Sequence, residues 1–331
     1  MRIPFIKVKI KAIIMVIENI KKKRAFLIIC EIALILFLSL FTTLARPIDT
    51  SKVVYLPNGS VGEIISYLDK RNFNVNKFDK YILVFMGFPQ SGWIEIGQNR
   101  LSKFDFLYKL TTAKAAMVDI TLIPGETTLY FLKDIANELN LDYNRLIHEY
   151  NKQSPIKEGY LVPDTYKIPV GISEKHLIYY LINLSKRYHE HISNKIFGEW
   201  DEKKWFNFII IASVIQKEAA DAQEMPIVSS VIYNRLKKGM KLQMDGTLNY
   251  GLYSHEKVTA ERIRKDNTRY NTYIHSGLPL TAVCNVSLDA IKAAIFPRKT
   301  DFLYFVRNPK TGKHTFSKSY ENHVNEIKKA K

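Results

Sequence analysis

Cysteines and metal-binding motifs are scarce in this chain of 331 residues. Cys30 lies inside a long apolar run and Cys284 stands alone in the rest of the chain, so the sequence offers no intramolecular disulfide. It contains neither a CxxC nor an HExxH spacing. We therefore predict no metal site and no cofactor, and we interpret Cys284 as a small buried apolar residue.

Acidic residues are also in short supply, with 32 Asp and Glu against 49 Lys and Arg and a net charge of +17. Such an excess indicates an anionic partner: nucleic acid, a membrane surface or an acidic polymer. The first 24 residues account for +7 of it, through eight basic residues and Glu18. Much of the excess therefore stands where a membrane-orientation signal belongs.

The next twenty residues, Ala25–Leu44, contain Glu31 as their only charged residue and have the length of a bilayer-spanning helix. No A-x-A-like cleavage site follows, so we predict an uncleaved anchor at residues 25–44. Because the basic residues precede the span, residues 1–24 should form a cytoplasmic tail and the remaining residues, about 285, should be exported. We predict a single-pass protein of the inner (cytoplasmic) membrane with a periplasmic main part, and no nucleic acid partner.

Two stretches beyond the span, 53–70 and 120–137, share one pattern. Each passes from a short apolar strand through a Pro/Gly turn into an amphipathic helix, with Ser60 and Thr127 as predicted N-caps. The pattern predicts a small α+β unit used twice. We place the first unit at residues 45–118 and the second at residues 119–170.

Shorter elements are predicted between and after these stretches. The apolar run Tyr81–Met86 and the alternating run Trp93–Gly97 indicate strands, and residues 102–111 indicate a helix. A helical region from Ser173 to about His191 carries His189 and His191 on either side of Glu190. We interpret these histidines as part of a solvated face, because positions two apart point to different sides of a helix.

The most informative stretch is an almost uninterrupted apolar run, Phe208–Ile215, that leads to Glu218. A helix that is hydrophobic nearly all round belongs in a core, so Glu218 should stand where a buried element reaches an edge. Burial there would raise the pKa of its carboxyl group, as a general acid requires. A second helix, residues 221–236, would make Glu218 the elbow of a helix pair. The alternative is a helix-end glutamate that points to solvent.

Polar and aromatic residues dominate two later segments, 233–251 and 269–279. Amides, hydroxyls and aromatic rings together can bind sugars, although the same mixture also makes ordinary turns. Glycosidic cleavage normally uses two carboxylates, and Asp245 is the nearest contender for the second. One carboxylate suffices if the substrate supplies its own hydroxyl as nucleophile, in which case the product is an anhydro sugar.

Several motifs in order resemble the endolytic murein transglycosylase family, also called YceG-like. They lie at residues 158–166, 211–219, 231–236, 239–247, 270–273, 277–279 and 312–316. The resemblance implies LysM-like units followed by an α+β catalytic domain at residues 171–331. It also implies that Glu218 acts as acid and then base. The reaction implied is cleavage of the MurNAc–GlcNAc β-1,4 bond in nascent peptidoglycan strands, which leaves 1,6-anhydro-MurNAc ends.

The same motifs supply candidate substrate contacts. These are Glu158, Asn234, Gln243, Asp245, Thr247, Asn271, Thr272, Tyr273 and His314. Met244 and Gly246 depart from the family's common Leu-Gln-Thr-Asp-Pro-Thr pattern, and residues 280–287 replace its Pro/Gly-rich turn, so the groove is expected to differ in shape. Peptidoglycan strands, the membrane and peptidoglycan synthases are the expected partners.

Two other functions remain open at this point. A hydrolytic muramidase could use Glu218 together with Asp245, and a non-catalytic peptidoglycan-binding scaffold would need no acid. For Glu158, loop and helix-cap chemistry is the alternative to a substrate contact. For His314, it is a surface histidine.

Overall fold

The computed structural model describes the backbone of residues 3–330 and the side chains of residues 21–329. Most of the predicted cytoplasmic tail, residues 1–24, lies outside the described side chains. The chain divides between Ala116 and Met117 into two compact units. Both mix helices with two-stranded antiparallel sheets.

The first unit follows one long helix with short strands and helices. Its elements are α1 (Ile3–Ala45), β1 (Pro47–Asp49), β2 (Val53–Leu56), α2 (Val61–Asp69), α3 (Asp79–Met86), β3 (Gly92–Glu95), β4 (Arg100–Ser102) and α4 (Lys103–Thr112). Strand β1 pairs with β4 and strand β2 with β3. Leu56, Leu68, Leu83 and Phe106 are fully buried in its core.

Helix α1 contains the apolar segment. Among the described residues, Lys21–Ala45 is the one stretch of helix long and apolar enough to cross a membrane, and it packs against almost nothing. An exposed apolar helix of this length is compatible with a single-pass membrane anchor.

Helix α2 begins as the sequence predicts. Ser60 caps it, because the Ser60 hydroxyl accepts the Glu63 N–H and the Glu63 carboxylate accepts the Ser60 N–H. Ile64, Ile65 and Leu68 then face the core at helical spacing.

The predicted strand at residues 81–86 is wrong, because these residues belong to helix α3. Leu83 is buried while Tyr81 and Phe85 are exposed, a helical pattern hidden in a run in which almost every residue is apolar. Short apolar runs do not distinguish strands from buried helices by period alone. The correction makes β2-α2-α3-β3 a β-α-α-β unit with its outer strands paired.

The second unit holds the remaining elements. They are β5 (Met117–Thr121), α5 (Thr128–Leu139), α6 (Tyr143–Gln153), β6 (Thr165–Pro169), α7 (Glu174–Phe197), α8 (Glu202–Glu218), α9 (Met225–Lys237), α10 (Ala260–Lys265), α11 (Leu288–Ile295), β7 (Tyr304–Arg307), β8 (His314–Ser317) and α12 (Tyr320–Ala330). Two 3₁₀ turns, Asp245–Leu248 and Gly251–Tyr253, lie between α9 and α10. Strands β5 and β6 pair around α5 and α6 and repeat the β-α-α-β order, with Thr127 as the N-cap of α5.

The solvated face predicted for His189 is wrong. His189 is buried between helices α7 and α8, where the Trp205 Nε1–H donates to its Nδ1 and its Nε2 bonds the Tyr160 carbonyl. Burial lowers the pKa of His189 to about 4, so it is a neutral core residue. A histidine whose neighbours come from distant segments cannot be recognised as buried from its own helix.

The core of residues 171–330 is built around α8. Trp205, Ile209, Val214 and Ile215 are fully buried, and α8 packs against both α9 and α11. The prediction of a helix buried nearly all round is confirmed. Cys284 is also buried in this core, as expected, and its thiol contacts the Ser213 carbonyl.

Candidate active site

Glu218 is the last residue of α8, at the elbow before α9. Ala219 has an extended backbone conformation, so the buried helix α8 ends there. The Glu218 side chain therefore lies at the edge of the core. Glu218 keeps partial contact with solvent. Its charge would stand at the negative end of the helix dipole, which disfavours the carboxylate form.

The Glu218 carboxyl group has one backbone partner. The Gly246 N–H, in the 3₁₀ turn Asp245–Leu248, donates to Glu218 Oε1 at 2.7 Å. Burial raises the pKa of Glu218 to about 7 and the charge of Asp245 adds to the increase, whereas the Gly246 N–H and Arg235 oppose it. The group is therefore half protonated near neutral pH, as a residue that alternates between acid and base requires.

Asp245 and Tyr273 form a pair beside Glu218. The Tyr273 hydroxyl donates to Asp245 Oδ1 at 2.6 Å, and Asp245 is exposed. Burial and the adjacent Asp245 carboxylate raise the pKa of Tyr273, so the phenol stays protonated and holds the carboxylate in place. The structure thus brings two predicted substrate contacts to the vicinity of the predicted acid.

Arg235 on α9, which is not among the predicted site residues, supplies a positive charge to this site. Its guanidinium is buried and donates to the Leu303 carbonyl at 2.6 Å and the Leu242 carbonyl at 2.7 Å. It thereby ties the loop that leads to Asp245 to α9 and to the segment before β7. Its position in the motif 231–236 was the available signal, since a charged residue within a core stripe needs partners.

Gly246, where the sequence departs from the pattern of the family it resembles, lies against the Glu218 carboxyl group. A Cβ at Gly246 would lie 2.8 Å from Glu218 Oε1 and 2.6 Å from the Lys217 Cβ. Proline, which the family resemblance implies at this position, has no N–H to donate. In this chain glycine therefore allows both the close approach and the hydrogen bond to Glu218.

Three predicted contacts, Thr247, Asn271 and Thr272, are buried and join the loops around the site. The Thr272 hydroxyl accepts the Met244 N–H at 3.1 Å and lies 3.0 Å from the Thr247 hydroxyl. The Asn271 amide donates to the carbonyls of Ile263 and Asp266. These side chains hold the turn that carries Asp245 and Gly246 in place.

Gln243 is exposed on the same loop, between buried Leu242 and Met244. Its backbone is left-handed, with φ of 47°, and its N–H donates to the Thr272 carbonyl at 3.1 Å. The conformation turns its side chain to solvent, so Gln243 remains available for a substrate.

Glu158 lies elsewhere, at the start of helix α5. Its buried carboxyl group accepts the Thr128 N–H at 3.0 Å, the Thr128 hydroxyl at 2.6 Å and its own neighbour's N–H, from Gly159, at 3.0 Å. Burial raises the pKa of Glu158 to about 7, although these hydrogen bonds act to lower it. Its oxygens are engaged in joining α5 to the segment before β6.

Asn234 and His314 also bond within the protein. The Asn234 amide donates to the carbonyls of Thr300 and Phe302 at 2.8 and 2.9 Å. His314 bonds Glu224 twice, through its N–H at 2.9 Å and its Nδ1 at 2.7 Å, and so ties strand β8 to the elbow after Glu218. The structure does not bring either side chain to the Glu218 carboxyl group.

Among the described residues, no cluster of His, Cys, Asp or Glu has the composition of a metal site. The chemistry that this arrangement can perform is proton transfer by Glu218 beside a fixed carboxylate and a buried arginine.

Comparison with known proteins gives these features a context. The YceG-like family matches residues 54–329. A Bacillus subtilis relative named "Endolytic murein transglycosylase" is 27% identical over 314 residues, covering 86% of each chain. A relative of the same name from Streptococcus pneumoniae serotype 2 is 32% identical over 176 residues, covering 50% of this chain and 31% of the relative.

A solved structure agrees with the sequence relatives. A YceG-like protein from Listeria monocytogenes superposes with a TM-score of 0.54 at 25% identity, covering 84% of this chain and 99% of that one. Because the family match runs from β2 in the first unit to the last turn of α12, the chain belongs to the YceG-like family.

Proposed function

We propose that the protein is an endolytic lytic transglycosylase of peptidoglycan, with Glu218 as its acid and base. The observation that carries the proposal is the position of Glu218: the end of a buried helix, a pKa of about 7 and one N–H donor, from Gly246. The relatives named as endolytic murein transglycosylases support the same reaction.

In the proposed reaction, protonated Glu218 gives its proton to the oxygen of the MurNAc–GlcNAc β-1,4 bond, and that bond breaks. The C6 hydroxyl of the same MurNAc attacks C1 and closes a 1,6-anhydro ring. The Glu218 carboxylate takes the proton of that hydroxyl, which restores the acid. One carboxyl group therefore serves both halves of a reaction that consumes no water.

The surrounding groups have distinct roles in this proposal. The negative charge of Asp245 favours the protonated form of Glu218 before cleavage and stabilises positive charge that develops at C1. Tyr273 orients Asp245, and Gln243 and Tyr273 contact the sugar. Arg235 and the buried Thr247, Asn271 and Thr272 fix the loop that carries Asp245.

The proximity of Asp245 also favours a second candidate function, hydrolysis. Inverting and retaining glycosidases pair an acid with a second carboxylate that activates water or attacks the sugar. An exposed Asp245 beside Glu218 has the chemistry for that role. A muramidase of this kind would leave reducing MurNAc ends instead of anhydro ends.

The proposal extends to the whole chain. We assign residues 25–44 as the membrane anchor, residues 1–24 as its cytoplasmic tail and residues 171–331 as the catalytic domain outside the cytoplasmic membrane. The two β-α-α-β units, within residues 45–118 and 119–170, are proposed to be LysM-like modules that hold glycan strands. Peptidoglycan synthases, which produce the nascent strands, are the candidate protein partners.

The test uses the full-length protein in detergent with purified peptidoglycan and mass spectrometry of the products. We expect anhydro-MurNAc ends from the wild type and a loss of at least about 10³-fold with Glu218→Gln, which cannot donate a proton. Glu202→Gln, the same exchange at the exposed other end of α8, is the matched control. Borohydride-reducible ends would instead establish hydrolysis, and absence of cleavage by the wild type would contradict both activities.

A further inference from the structure

Helix α3 in the first unit turns a row of aromatic side chains to solvent. Phe78, Tyr81, Phe85 and Phe88 are 77%, 65%, 92% and 74% exposed. Phe78, Tyr81 and Phe85 recur three or four positions apart, so they lie along one face of α3 and its N-cap residue, and Phe88 follows two residues after α3 ends at Met86. Soluble proteins seldom leave a contiguous aromatic face uncovered, and such a face indicates an interaction surface.

The neighbouring helix α4 also exposes aromatic side chains. Phe104 and Tyr108 are about half exposed, at 47% and 50%, and their rings stack in parallel with centroids 6.4 Å apart. Helices α3 and α4 contact each other through the core of the unit. We call these six residues on and next to the two helices, Phe78, Tyr81, Phe85, Phe88, Phe104 and Tyr108, the aromatic face.

A buried ion pair places the aromatic face beside the end of the apolar helix. Lys103 Nζ lies 3.1 Å from Asp79 Oδ2, and both side chains are almost fully buried. The Lys103 N–H in turn donates to the Arg46 carbonyl at 2.8 Å, one residue beyond α1. Phe78 and Phe104 are the immediate chain neighbours of the ion pair, so the aromatic face begins where α1 ends.

Basic residues accompany the aromatic ones. Lys77 is exposed next to Phe78, and the Lys80 ammonium lies 4.6 Å from the centroid of the Tyr81 ring. Aromatic rings with lysines beside them are typical of protein surfaces that lie at the boundary between lipid headgroups and acyl chains, where anionic headgroups attract the charge.

We propose that the aromatic face rests in the headgroup layer of the bilayer that α1 crosses, so that the first unit lies on the membrane surface and has a second contact with it. The inference rests on the proposed anchor at residues 25–44. The rigid connection from Arg46 through Lys103 to Asp79 would then fix the direction in which the remainder of the unit leaves the membrane.

The test measures the depth of single labels on the full-length protein in vesicles of phosphatidylcholine and phosphatidylglycerol. Phe85→Cys in a Cys30→Ser background carries an environment-sensitive fluorophore. Phe85 is exposed and contributes little to the core, so the exchange should leave the fold intact. Cys284 is buried and stays unlabelled.

Gln98→Cys is the matched control within the same unit. Gln98 is exposed beside Asn99, whose carbonyl accepts the Thr50 N–H at the far end of the β1–β4 pair. Strand β1 leads away from Arg46, so this end lies roughly 13 Å along the strand from α1 at about 3.3 Å per residue. A label there should remain in water.

We expect nitroxide-bearing lipids with a shallow acyl label to quench the Phe85 position several-fold more than the Gln98 position. Equal quenching of a protein that co-floats with the vesicles would overturn the proposal while leaving the anchor and the catalytic proposal in place. Cross-linking between Phe85→Cys copies without lipid quenching would assign the face to a second copy instead. A chain that does not co-float would overturn the anchor, and this inference with it, independently of any cleavage measurement.

Discussion

At the scale of single residues, the site depends on how a carboxyl group is left at the end of a buried helix. Glu218 loses hydration because α8 is buried. Its side chain stays close to the core because α9 begins a few residues later. One N–H, from Gly246, offsets part of the cost of its charge. The balance leaves a group whose proton is available near pH 7.

This balance predicts the pH dependence of cleavage. In the proposed reaction the protonated form of Glu218 starts cleavage, so kcat/KM should fall tenfold per pH unit above about 7, the pKa of the group. In Asp245→Asn the neighbouring negative charge is gone, so the falling limb should move to lower pH. Initial rates on peptidoglycan across pH 5–9 measure the falling limb of the wild type and of Asp245→Asn. Identical limbs in the two proteins would contradict an effect of the Asp245 charge on the pKa of Glu218.

Gly246→Ala tests the contact from the other side. The new Cβ would lie 2.8 Å from Glu218 Oε1, so the turn must shift and the hydrogen bond must lengthen. We expect a stability loss of about 1–3 kcal/mol and a rate loss of about 10–100-fold, with the falling pH limb moved to higher pH.

Gly62→Ala is the control for Gly246→Ala, because the nearest atom to a Cβ at Gly62 is 4.0 Å away. It lies in the first turn of α2, where alanine is favourable. Urea unfolding and pH–rate profiles of both variants provide the comparison. An unshifted limb in Gly246→Ala would show that the hydrogen bond does not set the pKa of Glu218.

At the scale of elements, the helices of the β-α-α-β units are stabilised at their N-termini by both local and distant interactions. Ser60 and Thr127 cap their helices through bonds within one turn. Helix α5 has, in addition, the buried Glu158 at its N-terminus, thirty residues further along the chain. A carboxyl group at that end of a helix satisfies free N–H groups, and burial outweighs the preference of these groups and of the dipole for its charged form.

Glu158→Gln should therefore change stability in a pH-dependent manner. The pKa of Glu158 is raised from 4.5 to about 7 in the folded protein, so the folded state binds this proton more tightly. Its contribution to the free energy of unfolding is complete below about pH 4.5 and disappears as the pH rises through 7. The destabilisation by the glutamine should be larger at pH 5 than at pH 8, by up to about 3 kcal/mol.

Urea unfolding at the two pH values measures the effect of Glu158→Gln. The exposed Glu202→Gln serves as the control, and we expect no comparable change in it. A destabilisation by Glu158→Gln that is larger at pH 8 than at pH 5 would contradict the raised pKa.

At the scale of the whole second unit, Asn285 joins the β5–β6 region to the core around α8. It is fully buried, its N–H donates to the Glu126 carbonyl at 2.9 Å, and its carbonyl accepts the Gly125 N–H at 2.9 Å. Its side-chain amide reaches Glu126 and Thr128. Asn285 lies in the segment 280–287, where the sequence departs from the pattern of the family it resembles.

Asn285→Ala should loosen this junction. The backbone bonds can remain, but the buried partners of the amide lose their bonds, which costs about 1–3 kcal/mol. Hydrogen exchange should rise selectively in residues 117–170. Asn183→Ala is the control, since that amide bonds the Tyr179 carbonyl within α7. Uniform exchange across the unit would indicate global destabilisation rather than a loosened junction.

Several site residues show the limit of prediction from the chain alone. The position of Glu218 at the end of a buried helix followed from apolar spacing. The sequence did not predict which polar residues of the site are exposed. Gln243 and Asp245 are exposed, whereas Thr247, Asn271 and Thr272 are buried, and all five occur in similar polar sequence. Which of them faces solvent depends on the hydrogen bonds between the loop that contains Met244 and Thr247 and the loop that contains Thr272.

The sequence by itself determined the long apolar segment of α1, the capped helices and the buried helix that ends in Glu218. These features depend on spacing within a few turns, where side-chain pattern and backbone are directly coupled. Tertiary structure alone decided that residues 79–86 form a helix, that His189 and Glu158 are buried, and that Gly246 donates to Glu218. Each of these depends on burial and on partners far away in the chain, which no local pattern records.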